Sequence, residues 1–174
     1  MTFSTEEVKR LRDLTGAGML DCKNALQEAE GDLEKAKDVL RQRGFEAAAK
    51  RSERETAEGV VHSYIHHNRR LGALVEVNCE SDFVARTDDF QRLAQQIALQ
   101  VAAANPLYIS KDEVTSGTEG DPKELCLLEQ PFVQDESRTI QDLLSDVISK
   151  TGENIRVRRF ARFELGRYGE RATP

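Results

Sequence analysis

Apolar residues near the start of the chain recur every three or four positions, which predicts three short helices. Ser4 can cap the first, with Glu7 at capping-box spacing, and Val8, Leu11 and Leu14 form its apolar face. Thr15-Gly16-Ala17-Gly18 stops that helix, because glycine tolerates the turn and threonine can cap the element that follows. Residues 19–29 read as a second helix with Cys22, Ala25, Leu26 and Ala29 facing inward. Gly31-Asp32 interrupts, and Asp32 caps a third helix through residue 43, with Leu33, Ala36, Val39 and Leu40 as its apolar face. Gly44 is expected to end the bundle, Phe45 to return against it, and residues 47–54 to form a helical connector. Each helix is marginal alone, so the three must pack together.

From Gly59 the period changes from helical to alternating. Residues 60–66 and 71–77 read as two strands joined by a turn at His67-Asn68-Arg69. A helix opening near Asp88 follows, with Phe90, Leu93, Ile97 and Val101 inward and Ala94, Ala98 and Ala102 allowing close packing; Asn105-Pro106 ends it. Residues 115–123 are polar and turn-rich, a loop within the domain, and residues 131–133 read as an irregular packed segment. Ile140, Leu143, Leu144, Val147 and Ile148 mark another amphipathic helix. Ile155, Val157, Ala161, Phe163 and Leu165 mark a last strand, with Phe163 expected toward the sheet core. A lone hairpin is too small to stand, so this strand should join it in a three-stranded, mostly antiparallel sheet. The expected fold is α+β: a helical head and connector over 1–54, a mixed core over 55–166 and a tail over 167–174.

Composition narrows the class. The 174 residues are 39% hydrophobic and 32% charged, the balance of a soluble globular chain with one substantial core and a small satellite. A net charge of −6 argues against dedicated nucleic-acid binding, although Arg156, Arg158, Arg159, Arg162 and Arg167, interleaved with Phe160, Phe163 and Tyr168, leave a weak RNA-contact alternative. Three cysteines without CxxC spacing fit reduced thiols. No apolar run approaches membrane-spanning length and no secretory leader is evident, so a cytoplasmic location is expected, or an organellar interior after removal of a transit peptide.

The segment Asn78-Cys79-Glu80-Ser81-Asp82-Phe83-Val84-Ala85-Arg86 sets an anion beside a large aromatic between a strand and a helix start. Two readings stay open: a fixed exposed pair that inserts into a partner, or a buried Phe83 with Asp82 capping a turn. Met19 and Leu20 likewise either face the head's core or form, with Lys23 one helical turn beyond Met19, an apolar and basic patch. His62, His66 and His67, even with Cys79, lack metal-site spacing, so no metal is expected. Catalytic triads and the GxxxxGK[ST] phosphate loop are absent, which argues against nucleotide hydrolysis by this chain.

Three longer blocks, Leu14-Thr15-Gly16-Ala17-Gly18-Met19-Leu20-Asp21-Cys22-Lys23, Val75-Glu76-Val77-Asn78-Cys79-Glu80-Ser81-Asp82-Phe83-Val84-Ala85-Arg86 and Thr151-Gly152-Glu153-Asn154-Ile155-Arg156-Val157-Arg158-Arg159, resemble the translation elongation factor Ts family over nearly the whole chain. The resemblance implies a ubiquitin-associated-like helical head, an α/β core, and no cofactor. It implies guanine-nucleotide exchange on elongation factor Tu, met in its GDP-bound and nucleotide-free forms, with no bond made or broken by this chain. Leu14, Met19, Leu20 and Lys23 would grip the GTPase domain. Ser81, Asp82, Phe83 and Val84 would form the exchange probe, Ser81 standing where relatives usually carry threonine. The connection between Tyr108 and Leu125 is shorter than in many relatives, which leaves distal contacts and self-association as a homodimer open. A non-exchanging binding module of the same fold remains the rival expectation.

Overall fold

The computed structural model describes residues 4–115 and 118–167. Three helices open the chain: α1 (Thr5–Thr15), α2 (Met19–Glu28) and α3 (Leu33–Arg51). The Ser4 and Glu7 capping box starts α1, and Asp32 caps α3 by accepting from the Glu34 and Lys35 amides. Val8, Leu11, Cys22, Ala25, Leu26, Ala29 and Ala36 form the head's own buried cluster. Thr15 does not cap α2; its hydroxyl donates back to the Leu11 carbonyl, and α2 starts at Gly18 without a side-chain cap.

Gly44 does not end the bundle. It is buried in the middle of α3, which runs on to Arg51. The reason is packing rather than a turn. A Cβ built on Gly44 would lie 3.5 Å from Ser149 Oγ and 3.8 Å from Ser145 Cβ, so where α3 passes a core helix, α7 (Ile140–Thr151), there is room for a methyl group but not for a larger side chain. Phe45 continues the helix, with the Arg41 guanidinium 5.6 Å from its ring centroid.

The core carries β1 (Glu58–Ile65), β2 (Leu71–Cys79), the one-turn α4 (Asp82–Ala85) and α5 (Asp88–Ala104). Then come α6 (Pro122–Leu125), β3 (Pro131–Phe132), β4 (Asp135–Thr139), α7 and β5 (Ile155–Glu164). The strands pair in the order β1-β2-β5, both pairs antiparallel. A second, two-stranded sheet joins β3 to β4, where alternation over so few residues gave no readable signal. One face of the larger sheet meets α5 and α7 through Ala73, Val75, Val77, Phe90, Leu93, Ile97, Ile140, Ile148, Ile155 and Phe160.

Phe163 does not face that core. The β2–β5 register shifts between Glu76 and Val77, leaving Arg158 as an extra residue in β5. Such a bulge reverses the alternation beyond it. Ile155, Val157 and Phe160 therefore point inward, while Phe163 turns out at 65% exposure. The outer sheet face thus presents Val61, Ile65, Leu74 and Phe163, all exposed.

Candidate functional site

The probe segment begins where the β2–β5 ladder ends, at the Cys79 and Ile155 pair. Ser81 is the N-cap of α4, and its hydroxyl accepts from the Val84 amide at 3.4 Å. Ala85 is buried and Val84 packs on the core, so α4 is anchored along one side. Phe83 lies on the other side and is 79% exposed, which removes the buried-phenyl reading. Asp82 caps nothing. Its carboxylate pairs with Arg86 one turn later at 2.8 Å; the Arg86 side chain is largely in water and that of Asp82 is partly so. Exposed pairs of this kind contribute little to stability, so Asp82 can exchange Arg86 for another donor at small cost.

Carboxylates hold the base of this turn. Glu153, in the connection between α7 and β5, accepts from the Glu80 and Ser81 amides at 3.1 and 3.0 Å and from the Ser81 hydroxyl at 2.5 Å. Glu80 accepts in return from the Asn154 amide at 2.5 Å and pairs with Arg54 at 3.3 Å. Its carboxyl titrates below the ordinary value of 4.5, chiefly because of the Asn154 N–H, with desolvation opposing and the Arg54 hydrogen bond adding a smaller lowering. The Cys79 thiol beneath the turn donates to the Ser81 carbonyl at 3.1 Å, and burial together with Glu153 pushes its pKa up to about 11. Sequence reasoning gave Glu80, Glu153, Asn154 and Arg54 no role. The partners lie more than 70 positions apart or on the connector, and no local pattern joins them.

The second region is the α1–α2 loop. Gly16 adopts a left-handed φ of 70° that glycine takes without strain, and its amide closes α1 on the Arg12 carbonyl. This sharp turn leaves Leu14, Met19 and Leu20 exposed at 56%, 42% and 68%, while Cys22, Ala25 and Leu26 fill the head's core. The core-facing reading of Met19 and Leu20 therefore falls. Lys23 is exposed as well. Leu14 and Met19 stand together in an open groove between the head and α7, which Leu20, Lys23, Asp82 and Phe83 do not line. Lys150, at the end of α7, lies between the α1–α2 loop and α5: its Cε is 2.8 Å from where a Cβ on Gly16 would sit, and its Nζ is 3.8 Å from Asp89 Oδ1.

Other chemistry is scattered. Cys79 pairs across the hairpin with Glu58, far along the strands from His66, whose Nδ1 meets the Tyr64 hydroxyl at 3.0 Å. Within the basic cluster Arg159 pairs with Glu76, and both Arg162 and Arg167 pair with Glu164. Arg156 donates to the Ser52 and Arg54 carbonyls. The cluster is thus largely spent on internal partners, and Tyr168 lies outside the described residues. No described helix is long and apolar enough to cross a membrane.

The sequence model for the family described as Elongation factor TS matches residues 34–119. The chain is 49% identical to Elongation factor Ts of Caldanaerobacter subterraneus subsp. tengcongensis over 194 positions, covering 94% of this chain and 97% of that one. It is 48% identical to Elongation factor Ts of Carboxydothermus hydrogenoformans, covering 94% and 89%. It is 44% identical to Elongation factor Ts of Fervidobacterium nodosum, covering 95% and 100%. An aligned span of 194 positions exceeds the 174 residues of this chain, so the first relative carries residues that this chain lacks.

Proposed function

The chain belongs to the elongation factor Ts family, a family of translation elongation factors, and from that premise we propose that it accelerates GDP release from elongation factor Tu and permits GTP to bind. The observation that carries this reading is the exposed Phe83 on a turn pegged by Ser81 and Glu153. Such a side chain inserts into a partner without first reordering its own backbone, so little of the contact energy is lost to entropy.

In this mechanism Leu14, Met19, Leu20 and Lys23 grip the GTPase domain and bring the probe to bear. Phe83 wedges between side chains beside the nucleotide site; burying a phenyl group contributes about 1.5–3 kcal/mol. Asp82 lets go of Arg86, competes for the donors that hold phosphate and disturbs the magnesium site on the partner. Val84 and Ser81 keep the turn from yielding under that load. The two ligands then oppose each other. Whatever factor the exchange protein removes from GDP affinity, GDP removes from the affinity of the exchange protein, so GDP leaves and GTP later expels the factor. No bond is made or broken by this chain, and no cofactor enters.

The partner is elongation factor Tu in its GDP-bound and nucleotide-free forms, and the place of action is the cytoplasm. The exposed outer sheet face with Val61, Ile65, Leu74 and Phe163 supports self-association as a homodimer, since a patch of this kind is better covered than left in water.

The test is release of a fluorescent GDP analogue from elongation factor Tu, with catalytic amounts of this protein and excess unlabelled GDP. Release that speeds up with turnover supports the reading. Binding without acceleration would leave only a non-exchanging module of the same fold.

A further inference from the structure

We propose that Glu153 is a positioning residue for the exchange probe, fixing through Ser81 the direction in which Asp82 and Phe83 leave the core. This rests on the exchange reading above. The sheet leaves two backbone donors at the end of β2 unpaired. The β2–β5 ladder stops at Cys79 and Ile155, and the next two amides of that strand, Glu80 and Ser81, both turn to Glu153 Oε2. The other oxygen, Oε1, takes the Ser81 hydroxyl proton at 2.5 Å.

That third bond has a directional consequence. A serine hydroxyl carries one proton, and giving it to Glu153 turns the oxygen's lone pairs toward the Val84 amide, which it caps. A helix of four residues cannot hold itself, so α4 keeps its shape only while this cap and the buried Ala85 hold it. Glu153 is itself braced. Gly152 takes a left-handed φ of 74° at the end of α7, and its carbonyl accepts from Arg51 Nε at 3.0 Å and Arg54 Nη1 at 3.4 Å. The Glu153 amide donates to Thr151 Oγ1, and the neighbouring Asn154 amide donates to Glu80. The connector from the head and the probe therefore both bind the short segment from Gly152 to Asn154 that follows α7.

Without the Glu153 carboxylate the probe keeps its residues and its exposure but loses its fixed direction. The grip through the head does not touch Glu153, so initial binding should persist while the step that needs an aligned Phe83 slows. Glu153→Ala is expected to lower the maximal exchange rate about tenfold, the worth of roughly one charge-assisted hydrogen bond, and to leave KM for GDP-loaded elongation factor Tu within about twofold. Glu153→Gln retains an oxygen for the two amides but brings an NH2 group to the Ser81 hydroxyl, so it should fall between the two.

The chain has no tryptophan, which supplies a second readout independent of exchange. Phe83→Trp places the sole indole at the probe tip, and its time-resolved anisotropy reports local motion. Adding Glu153→Ala, or Glu153→Gln should the alanine variant fail to fold, is expected to enlarge the fast anisotropy decay with the circular dichroism spectrum unchanged. A folded variant with unchanged anisotropy, or one with the parent's maximal exchange rate, would overturn the assignment. Failure of the parent chain to accelerate release at all would instead reject the exchange reading, while the anisotropy would still decide whether Glu153 holds the turn.

Discussion

Arg41 and Asp142 meet as a two-point ion pair, Nε to Oδ1 at 2.6 Å and Nη2 to Oδ2 at 2.9 Å, joining the helical head to α7. Asp142 is buried and does a second job, accepting through Oδ2 from the amide and hydroxyl of its own N-cap, Thr139. The two residues should therefore differ sharply on removal. Arg41→Ala leaves a buried carboxylate with only its cap donors and should cost about 3 kcal/mol, whereas Asp142→Ala strips the capping box but leaves a guanidinium that is half in water, at about 1 kcal/mol. Urea unfolding of the two variants measures this, and equal losses would contradict it.

Gly44 offers a change in the opposite direction. Its Cβ-to-be meets Ser149 and Ser145 at ordinary contact distance, so alanine fits where the helix α3 passes α7. Gly44→Ala should stabilise the protein by about 0.5–1 kcal/mol through helix propensity alone. Gly44→Leu should destabilise it by about 1–3 kcal/mol by forcing the helices apart. Thermal unfolding midpoints of both variants decide the matter, and a destabilising alanine would mean that the two helices pack more tightly than described.

Glu80 gives the probe's anchor a pH dependence. Its carboxyl titrates below 4.5 in the folded protein, first because of the Asn154 amide and then Arg54. A depressed acid stabilises the fold above its ordinary value, and that contribution is lost as pH falls from 4.5 through the lower folded value. The Asn154 amide resonance should shift with the same midpoint in an NMR titration. Glu80→Gln should abolish that midpoint; a titration at or above 4.5 would show that the Asn154 bond does not hold the carboxylate.

The exposed head residues should act on binding rather than on turnover. Met19→Ala combined with Leu20→Ala removes apolar surface that contributes nothing to the head's core, so stability should change by less than about 0.5 kcal/mol. KM for GDP-loaded elongation factor Tu should rise about tenfold or more while the maximal rate is largely kept. Loss of the maximal rate with KM unchanged would place these residues in the exchange step instead.

The elements with strong period were legible. Capping signals at Ser4 and Asp32, the alanine-backed face of α5 and the hairpin all stand where the pattern placed them. What escaped depends on contacts between distant segments. Gly44 reads as a stop because glycine usually stops a helix, and only α7 explains it as a packing site. Strict alternation put Phe163 inside, and one bulged residue, Arg158, reversed it. At the candidate site, the exposure of Phe83 and Met19 was open between two readings. Glu153, the group that holds the probe's turn, sits 72 positions from Ser81, and its place in a family block gave no sign of that contact.

In the proposed mechanism Asp82 and Phe83 drive nucleotide release while the head supplies the grip. The direct measurement pairs two quantities on one sample, the Asp82→Ala, Phe83→Ala variant: affinity for nucleotide-free elongation factor Tu by titration, and stimulated release of a fluorescent GDP analogue. The account predicts a folded variant that still binds but whose stimulation of release falls by about 100-fold, the worth of a buried phenyl contact and the carboxylate's competition for donors. A variant that stimulates release like the parent would contradict it.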